Sequence, residues 1–428
     1  MPERQYPKMR LPRYLAALVA ALLIFAVAGS SLASAASSAH KRGESHSKRH
    51  SHKHKSKKKH RSKKKHRKHH KKKHHSKKHH SKKHHSKKKH RKHHKKKRKH
   101  AVKAPVPAPA PPAPAPPAFT LGMVSGPAAA WEAGLTKTAN LNPKVVRVPF
   151  DLGTSVSSMN KQIAGLAAQG EQALLLAEFP GRIPSQSEAQ SLAGWAAAFG
   201  PGGTFWQGRS DGNLAVQYIE FGNETNMSYQ FGGVSSGPSY IARAQSYGQR
   251  ARDAADAIHA ANPGVGLLAI GDNGGSGTSQ WVDGMFSAVP DLNSHIAGWT
   301  MHPYGPQSRW QPIMDKVVSD TAKHGDTTLP FFITEYGIST NNGACLDSNY
   351  NWPTCMTYQQ AADGMTGSIN AMRARYGGRL RDMFIFEQRD MANDPNGREA
   401  NFGAIRSDGS QKGVFTTTIR NLLNTYRG

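Results

Sequence analysis

From Phe119 onward, short unbroken apolar runs alternate with longer stretches whose apolar residues recur at helical spacing. The runs Phe119–Val124, Lys144–Phe150, Gln172–Phe179, Val216–Gly222, Gly266–Gly271, Ile296–His302, Pro330–Tyr336 and Arg381–Gln388 predict strands. Between them, Ser155–Gln169, Ser187–Phe199, Ser239–Ala261, Ser279–Val289, Pro312–His324 and Thr357–Tyr376 predict helices. Val414–Tyr426 predicts the closing helix, and Pro127–Asn140, with the faintest pattern, the opening one. Runs such as Ala173-Leu174-Leu175-Leu176-Ala177 suit strands covered on both faces, as in a parallel sheet. Eight such units predict an α/β fold, a (β/α)8 TIM barrel. The competing architecture is an open, doubly wound sheet, which normally carries a Gly-rich phosphate turn after its first strand. Here that position reads Ser125-Gly126-Pro127-Ala128, which lacks the fingerprint.

Charge divides the chain differently. The 428 residues carry a net charge of +32, yet His40–His100 alone holds 32 Lys/Arg, one acid (Glu44) and 19 His. Phe119–Gly428 holds 22 basic and 25 acidic residues. The basic character therefore lies outside the predicted fold, which excludes reading the barrel as a nucleic-acid binder.

The N-terminus has the form of an export signal: Arg4, Lys8, Arg10 and Arg13, then the apolar run Leu15–Ala28, then Ala33-Ser34-Ala35. We expect a signal peptide over residues 1–35, with an uncleaved membrane anchor over residues 15–36 as the alternative. Residues 36–103 form a Lys/His-rich tract with no means of building a core, expected to be disordered. It is either a solvated spacer or a tether to anionic cell-envelope polymers through residues 40–100, whose hold should weaken with salt. Its paired histidines could also take up metal adventitiously. Residues 104–118 are a Pro/Ala linker of polyproline character. Residues 119–428 are the barrel, expected to be a monomer that is secreted or envelope-associated. Cys345 and Cys355 suit an oxidising compartment and are expected to form a disulfide; two free thiols are the alternative.

In a barrel, chemistry collects at the carboxyl ends of the strands. Strand four ends Glu220-Phe221-Gly222-Asn223-Glu224 and strand seven ends Thr334-Glu335-Tyr336-Gly337. Arg147 lies on strand two, and strand six ends His302-Pro303-Tyr304. Paired carboxylates suit glycoside hydrolysis, in which one protonates the leaving oxygen and the other meets the developing positive charge. The expected partner is thus a carbohydrate substrate. No metal or cofactor is needed for such chemistry. A barrel that only binds carbohydrate, or serves the envelope structurally, is the alternative. Trp310 and Trp352 fall in predicted loops, where a ring can stack on a sugar, and Trp131 and Trp206 are further candidates. Trp299 reads as core. Glu220 reads as a structural carboxylate; Glu178, at the end of strand three, reads as one half of a structural ion pair, with a place on the rim as the alternative.

Gly222-Asn223-Glu224, His302-Pro303-Tyr304 and Thr334-Glu335-Tyr336-Gly337, in this order, resemble clan A of the retaining glycoside hydrolases, which includes the cellulase and β-xylosidase-like families. The closing stretch Asn401–Lys412 is similar to the segment after strand eight in that clan, and the resemblance spans Phe119–Gly428. It implies that Glu224 is the acid/base and Glu335 the nucleophile. It further implies that Asn223 binds the sugar 2-hydroxyl, Arg147 and Tyr304 hold Glu335, and His302 lines the sugar subsite. Two departures stand out. Thr225 replaces a frequent Pro. Strand eight ends Phe384-Ile385-Phe386-Glu387-Gln388-Arg389 without the frequent Trp, so either Gln388 hydrogen-bonds the sugar or the platform comes from elsewhere.

Overall fold

In a computed structural model, eight parallel strands pair in chain order and the eighth closes on the first. The structure describes residues 118–231, 233–271, 279–347, 353–391 and 394–428. The expected signal segment, the basic tract, nearly all of the linker, Trp352 and the Gly-rich segment at 272–277 lie outside the described residues.

The strands are β1 (Thr120–Val124), β2 (Val145–Asp151), β3 (Gln172–Glu178), β4 (Tyr218–Phe221), β5 (Gly266–Ile270), β6 (Gly298–Met301), β7 (Phe331–Tyr336) and β8 (Leu380–Ile385). Helices α1 (Ala129–Thr138), α2 (Asn160–Ala167), α3 (Gln186–Gln190), α4 (Leu192–Phe199), α5 (Pro238–Ala261), α6 (Ser279–Ala288), α7 (Gln307–Lys323), α8 (Tyr358–Tyr376) and α9 (Val414–Thr425) follow in chain order. The expected TIM barrel is therefore present, with the helix after β3 broken in two. Local sequence sets several helix starts. Pro238 opens α5, where its missing N–H costs nothing. Thr357 and Gln360 form a reciprocal capping box at α8.

Helix α7 starts five residues before the predicted Pro312, directly after Pro306, and carries Pro312 inside it. Proline there removes one ladder hydrogen bond but does not stop the helix, because the buried face of Trp310, Met314 and Val317 holds it against the barrel.

Strand parity sorts the side chains into two layers. Leu121, Val146, Val148, Leu175, Ile219, Trp299, Ile333 and Ile385 join the main core beneath the helices. Val145, Leu174, Leu268, Phe332 and Phe384 form a second cluster of opposite parity, the floor of the barrel interior. The same parity, followed toward the carboxyl ends, gives Arg147 on β2, Glu178 on β3, Glu220 on β4 and Thr334 on β7. The apolar floor thus gives way to a polar layer two to four residues higher.

Candidate active site

Arg147 is the hub of that layer. It is only 2% exposed. Its Nε donates to Glu220 Oε2 at 2.5 Å, its Nη1 to Glu335 Oε1 at 2.6 Å, and its Nη2 to Asn223 Oδ1 at 3.0 Å. Burial works against its charge, but the two carboxylates outweigh burial and raise its pKa further. Glu220 accepts a second hydrogen bond from Thr334 Oγ1 at 2.7 Å, so it holds this scaffold from below.

Glu335 reaches the same centre although Phe332 and Thr334 are the inward residues of β7. A register irregularity between Ile333 and Tyr336 allows this, because a bulge re-aims successive side chains. Its second oxygen accepts from Tyr304 Oη at 2.8 Å. Burial and Glu335 together push the Tyr304 hydroxyl well above its usual pKa, so it stays a donor.

Glu224 sits beyond the end of β4 in a loop of unusual backbone. Gly222 has φ +86°, and a Cβ there would lie 2.5 Å from the Phe179 ring. Glu224 itself has φ +45°, a left-handed conformation uncommon for a side chain of this size. The turn carries the Glu224 carboxyl back over the barrel mouth. There its Oε1 lies 3.0 Å from His302 Nδ1, and its Oε2 accepts from Tyr229 Oη at 2.5 Å. Burial pushes the Glu224 carboxyl up; His302, Tyr229 and Arg147 together outweigh that and leave it below the usual range. For His302, burial favours the neutral ring, but Glu335 and Glu224 prevail and raise its pKa.

Glu224, His302 and Glu335 each present an atom, all within 4.8 Å of one another. Such a trio is a conceivable cation site. Yet both oxygens of Glu335 already accept from Arg147 and Tyr304, and both oxygens of Glu224 face His302 and Tyr229. A metal ion would have to displace these partners and sit beside a guanidinium.

Of the residues expected at the site, Arg147, Asn223, Glu224, His302, Tyr304 and Glu335 therefore converge. Gln388 and Trp310 do not. Gln388 is fully buried, both of its amide atoms lack a hydrogen-bond partner, and it presents nothing to a sugar. Trp310 is fully buried in the first turn of α7, packed as core, and cannot stack on substrate. Trp206 is also buried, whereas Trp131 is 54% exposed with Arg389 over its ring at 4.7 Å. Trp299 is core, and its indole N–H donates to Asp326. Cys345 and Cys355 are joined as a disulfide.

Three residues near the mouth, Tyr229, Phe386 and Glu387, escaped the sequence reading. Tyr229 touches Glu224, and only its place in the loop after β4 hinted at that. Phe386, half-buried at the end of β8, meets Tyr304 edge-on at 6.1 Å and Phe402 at 5.5 Å. It is the aromatic ring beside Tyr304 at the end of the strand that lacks the frequent Trp. Glu178, expected in an ion pair, makes none among the described residues; burial first, with Asp151 and Glu335 adding, pushes it up to about 7 even against Arg147. Glu387 is buried with one unpartnered oxygen and lies well above the usual carboxylate range.

No protein-family model and no curated protein matches the sequence. Solved structures do match in fold. A glucosidase from Croceicoccus marinus aligns over 72% of this chain and 70% of its own, with a TM-score of 0.52 and 13% identity. Bacteroides uniformis β-glucuronidase 2, covalently bound to a cyclophellitol-6-carboxylate aziridine, aligns over 71% of this chain and 35% of its own, with a TM-score of 0.50 and 8% identity. A family 39 glycoside hydrolase from Bacteroides cellulosilyticus matches at 16% identity and a TM-score of 0.49, and this chain spans 64% of it. At these identities the likeness is one of architecture: the chain has the (β/α)8 barrel that these hydrolases carry.

Proposed function

We propose that the chain is a retaining β-glycoside hydrolase acting on O-glycosidic bonds of a polysaccharide or oligosaccharide. The observation that carries this reading is the approach of Glu224 and Glu335, an oxygen of each lying within 4.8 Å of the other. Retaining pairs stand about 5–5.5 Å apart, whereas inverting pairs leave about 6.5–9.5 Å for a water. The barrel shared with glycoside hydrolases and the expected clan A motifs support the same reading.

In the first step Glu335, held by Arg147 and Tyr304, attacks the anomeric carbon while Glu224 protonates the leaving oxygen. Asn223, turned by Arg147, is placed for the sugar 2-hydroxyl. Tyr229, 46% exposed, is the Glu224 partner that an entering glycosidic oxygen can displace. In the second step Glu224 takes a proton from water, which attacks the glycosyl ester and returns the sugar with its configuration retained.

The test is a panel of aryl β-glycosides and polysaccharides, with the product anomer followed by NMR. An activated 2-deoxy-2-fluoro glycoside should label Glu335, detected by peptide mass. Inverted product, or label on another residue, overturns the mechanism. Binding without turnover across the panel would favour the non-catalytic alternative.

The expected export and tether extend the reading: the enzyme is secreted and held on anionic envelope polymers by residues 40–100. Deleting that tract should leave turnover of soluble substrate unchanged and abolish salt-sensitive retention on anionic surfaces. Retention that survives deletion, or turnover that collapses, refutes it.

A further inference from the structure

Beneath Glu224 runs a chain of buried hydrogen bonds that the reaction as written does not use. Thr334 Oγ1 donates to Glu220 Oε1 at 2.7 Å. The same hydroxyl lies 3.0 Å from His302 Nε2. Glu220 also accepts from the Arg147 guanidinium through its other oxygen, and it is the acceptor toward Thr334 as well. A hydroxyl has one proton, and Thr334 gives it to Glu220. The remaining contact therefore has one possible direction: His302 Nε2–H donates to Thr334. With Nε2 protonated, the nitrogen that gains and loses a proton is Nδ1, which faces Glu224 Oε1 at 3.0 Å. Glu220 and Thr334 are wholly buried and His302 is 3% exposed, so no bulk water competes for these positions.

We infer that Thr334 is a positioning residue that fixes the His302 tautomer, so that His302 and Glu224 hold one shared proton aimed at the leaving group. The inference rests on the glycosidase reading. In one form the pair is imidazolium and carboxylate; in the other it is neutral imidazole and carboxylic acid. In glycosylation the shared proton leaves with the departing alcohol, and the pair is left with neutral imidazole and carboxylate. In deglycosylation the attacking water gives its hydroxide to the anomeric carbon and its proton back to the pair. The arrangement explains how a carboxyl held below its usual range at rest can still act as an acid, since His302 Nδ1 resupplies it.

Among the described residues, charged and titratable groups around His302 come from β2, β4, β6 and β7 and the loops that follow them. They are Arg147 from β2; Glu220, Glu224 and Tyr229 from β4 and its loop; Tyr304 beside it after β6; and Glu335 from β7, 3.5 Å from Nδ1. Glu178 on β3 faces the same mouth. Thr334, uncharged, is the hydroxyl that directs the ring's far nitrogen.

The test compares Thr334→Val and Thr334→Ser by the pH profile of kcat/KM on two substrates. One has a poor leaving group that needs the proton, and the other a good one that does not. In Thr334→Val the imidazolium loses a hydrogen bond. The basic limb on the poor substrate should then move down by about one to two pH units, the size expected for a bond to a charged group. The good substrate should keep its rate at the glycosylation step, and Thr334→Ser should restore the wild-type limb. A Thr334→Val limb that stays in place, or an equal loss on both substrates, overturns the inference. If Thr334→Val does not fold, Thr334→Ala removes the same hydroxyl with less crowding.

A second measurement is independent of turnover. In the long-range 1H–15N spectrum of histidine-labelled full-length protein, the His302 signals are assigned by their loss in His302→Gln. They should show Nε2 protonated throughout and Nδ1 changing with pH. A ring protonated on Nδ1 alone refutes the relay even if the enzyme turns over. The predicted tautomer in a protein that hydrolyses no glycoside would instead fault the glycosidase reading.

Discussion

Replacing Arg147 by Met tests the centre of the site most directly. Met fills much of the buried stem but donates nothing. The change deletes the Nε bond to Glu220, the Nη1 bond to Glu335 and the Nη2 bond to Asn223, all inside the barrel. Removing one partner of a buried ion pair costs about 3–5 kcal/mol, because the other charge is left without compensation. Unfolding entropy is about 2.1 cal/mol/K per residue, so a barrel of this length loses roughly 5–8 °C in Tm. The assay is thermal unfolding of the full chain, wild type and Arg147→Met, at pH 7 and pH 5. The gap should narrow in acid, because protonating the orphaned carboxyls removes the buried charge. Turnover should be lost at both pH values, since Glu335 loses its orientation. A variant within about 1 °C of wild type at pH 7, or a gap that does not depend on pH, would refute the view of Arg147 as the shared counter-ion.

Glu224→Ala should slow hydrolysis of poor leaving groups by more than about 100-fold while sparing glycosylation by activated aryl glycosides, which need no proton; stopped-flow release of the aryl alcohol distinguishes the steps. Glu171, 3% exposed, is pushed up to about 8 by burial, only partly offset by Lys137. The folded state therefore binds more protons than the unfolded chain between about pH 4.5 and pH 8, and stability falls as pH rises through that window. Glu171→Gln should stabilise by about 2–4 kcal/mol at pH 8 and leave pH 4 unchanged, which denaturant titration at the two pH values checks. Trp310→Ala should lower stability by about 3–5 kcal/mol and leave KM alone, and a raised KM at unchanged Tm would reinstate it as a sugar platform. Carboxylates at the mouth should disfavour an anionic glycon, so a β-glucuronide should be hydrolysed more slowly than the matching β-glucoside, with the opposite order counting against this picture.

The strands were legible because each is a buried run with little competing signal; observed and expected ends differ by at most three residues. Arg147 was legible from its place on strand two and from the clan A resemblance; that it shares the inward parity of Val145 shows only in the folded barrel. Glu220 was legible as a structural carboxylate from its alternation along β4. Glu335 was found as a strand-end residue, but no pattern in the sequence shows the irregularity in β7 that brings it and Thr334 to the same cavity. Trp310 was misplaced because Pro312 looked like a helix start, whereas the apolar face of α7 carries the helix through it. Gln388 was misplaced because its strand was extended three residues past Ile385, and the chain beyond the strand leaves that side chain fully buried. Tyr229 was missed because the turn at Gly222 and Glu224 folds the loop back, a geometry that appears only once Phe179 closes off the glycine's side.

Charge balance links the fold to the proposed chemistry. Closing the barrel brings Glu220, Glu224 and Glu335 around a single guanidinium, and one arginine cannot neutralise three carboxylates. The raised pKa of His302 is the site's response: it retains a proton that its burial would otherwise expel. Three carboxylate charges set against Arg147 and one proton on His302 leave one negative charge, held in place before any substrate arrives. A glycosidic carbon approaching the oxocarbenium transition state develops about one positive charge at the same spot. Water would have to reorient to meet that charge, whereas these groups are already held by hydrogen bonds to the barrel wall, so the stabilisation is preorganised. On this argument the residue that matters most to the transition state need not touch the sugar. Arg147 sets how much negative charge remains uncompensated, and the strand parity that turns it inward is what makes the barrel mouth suited to a cation-like intermediate.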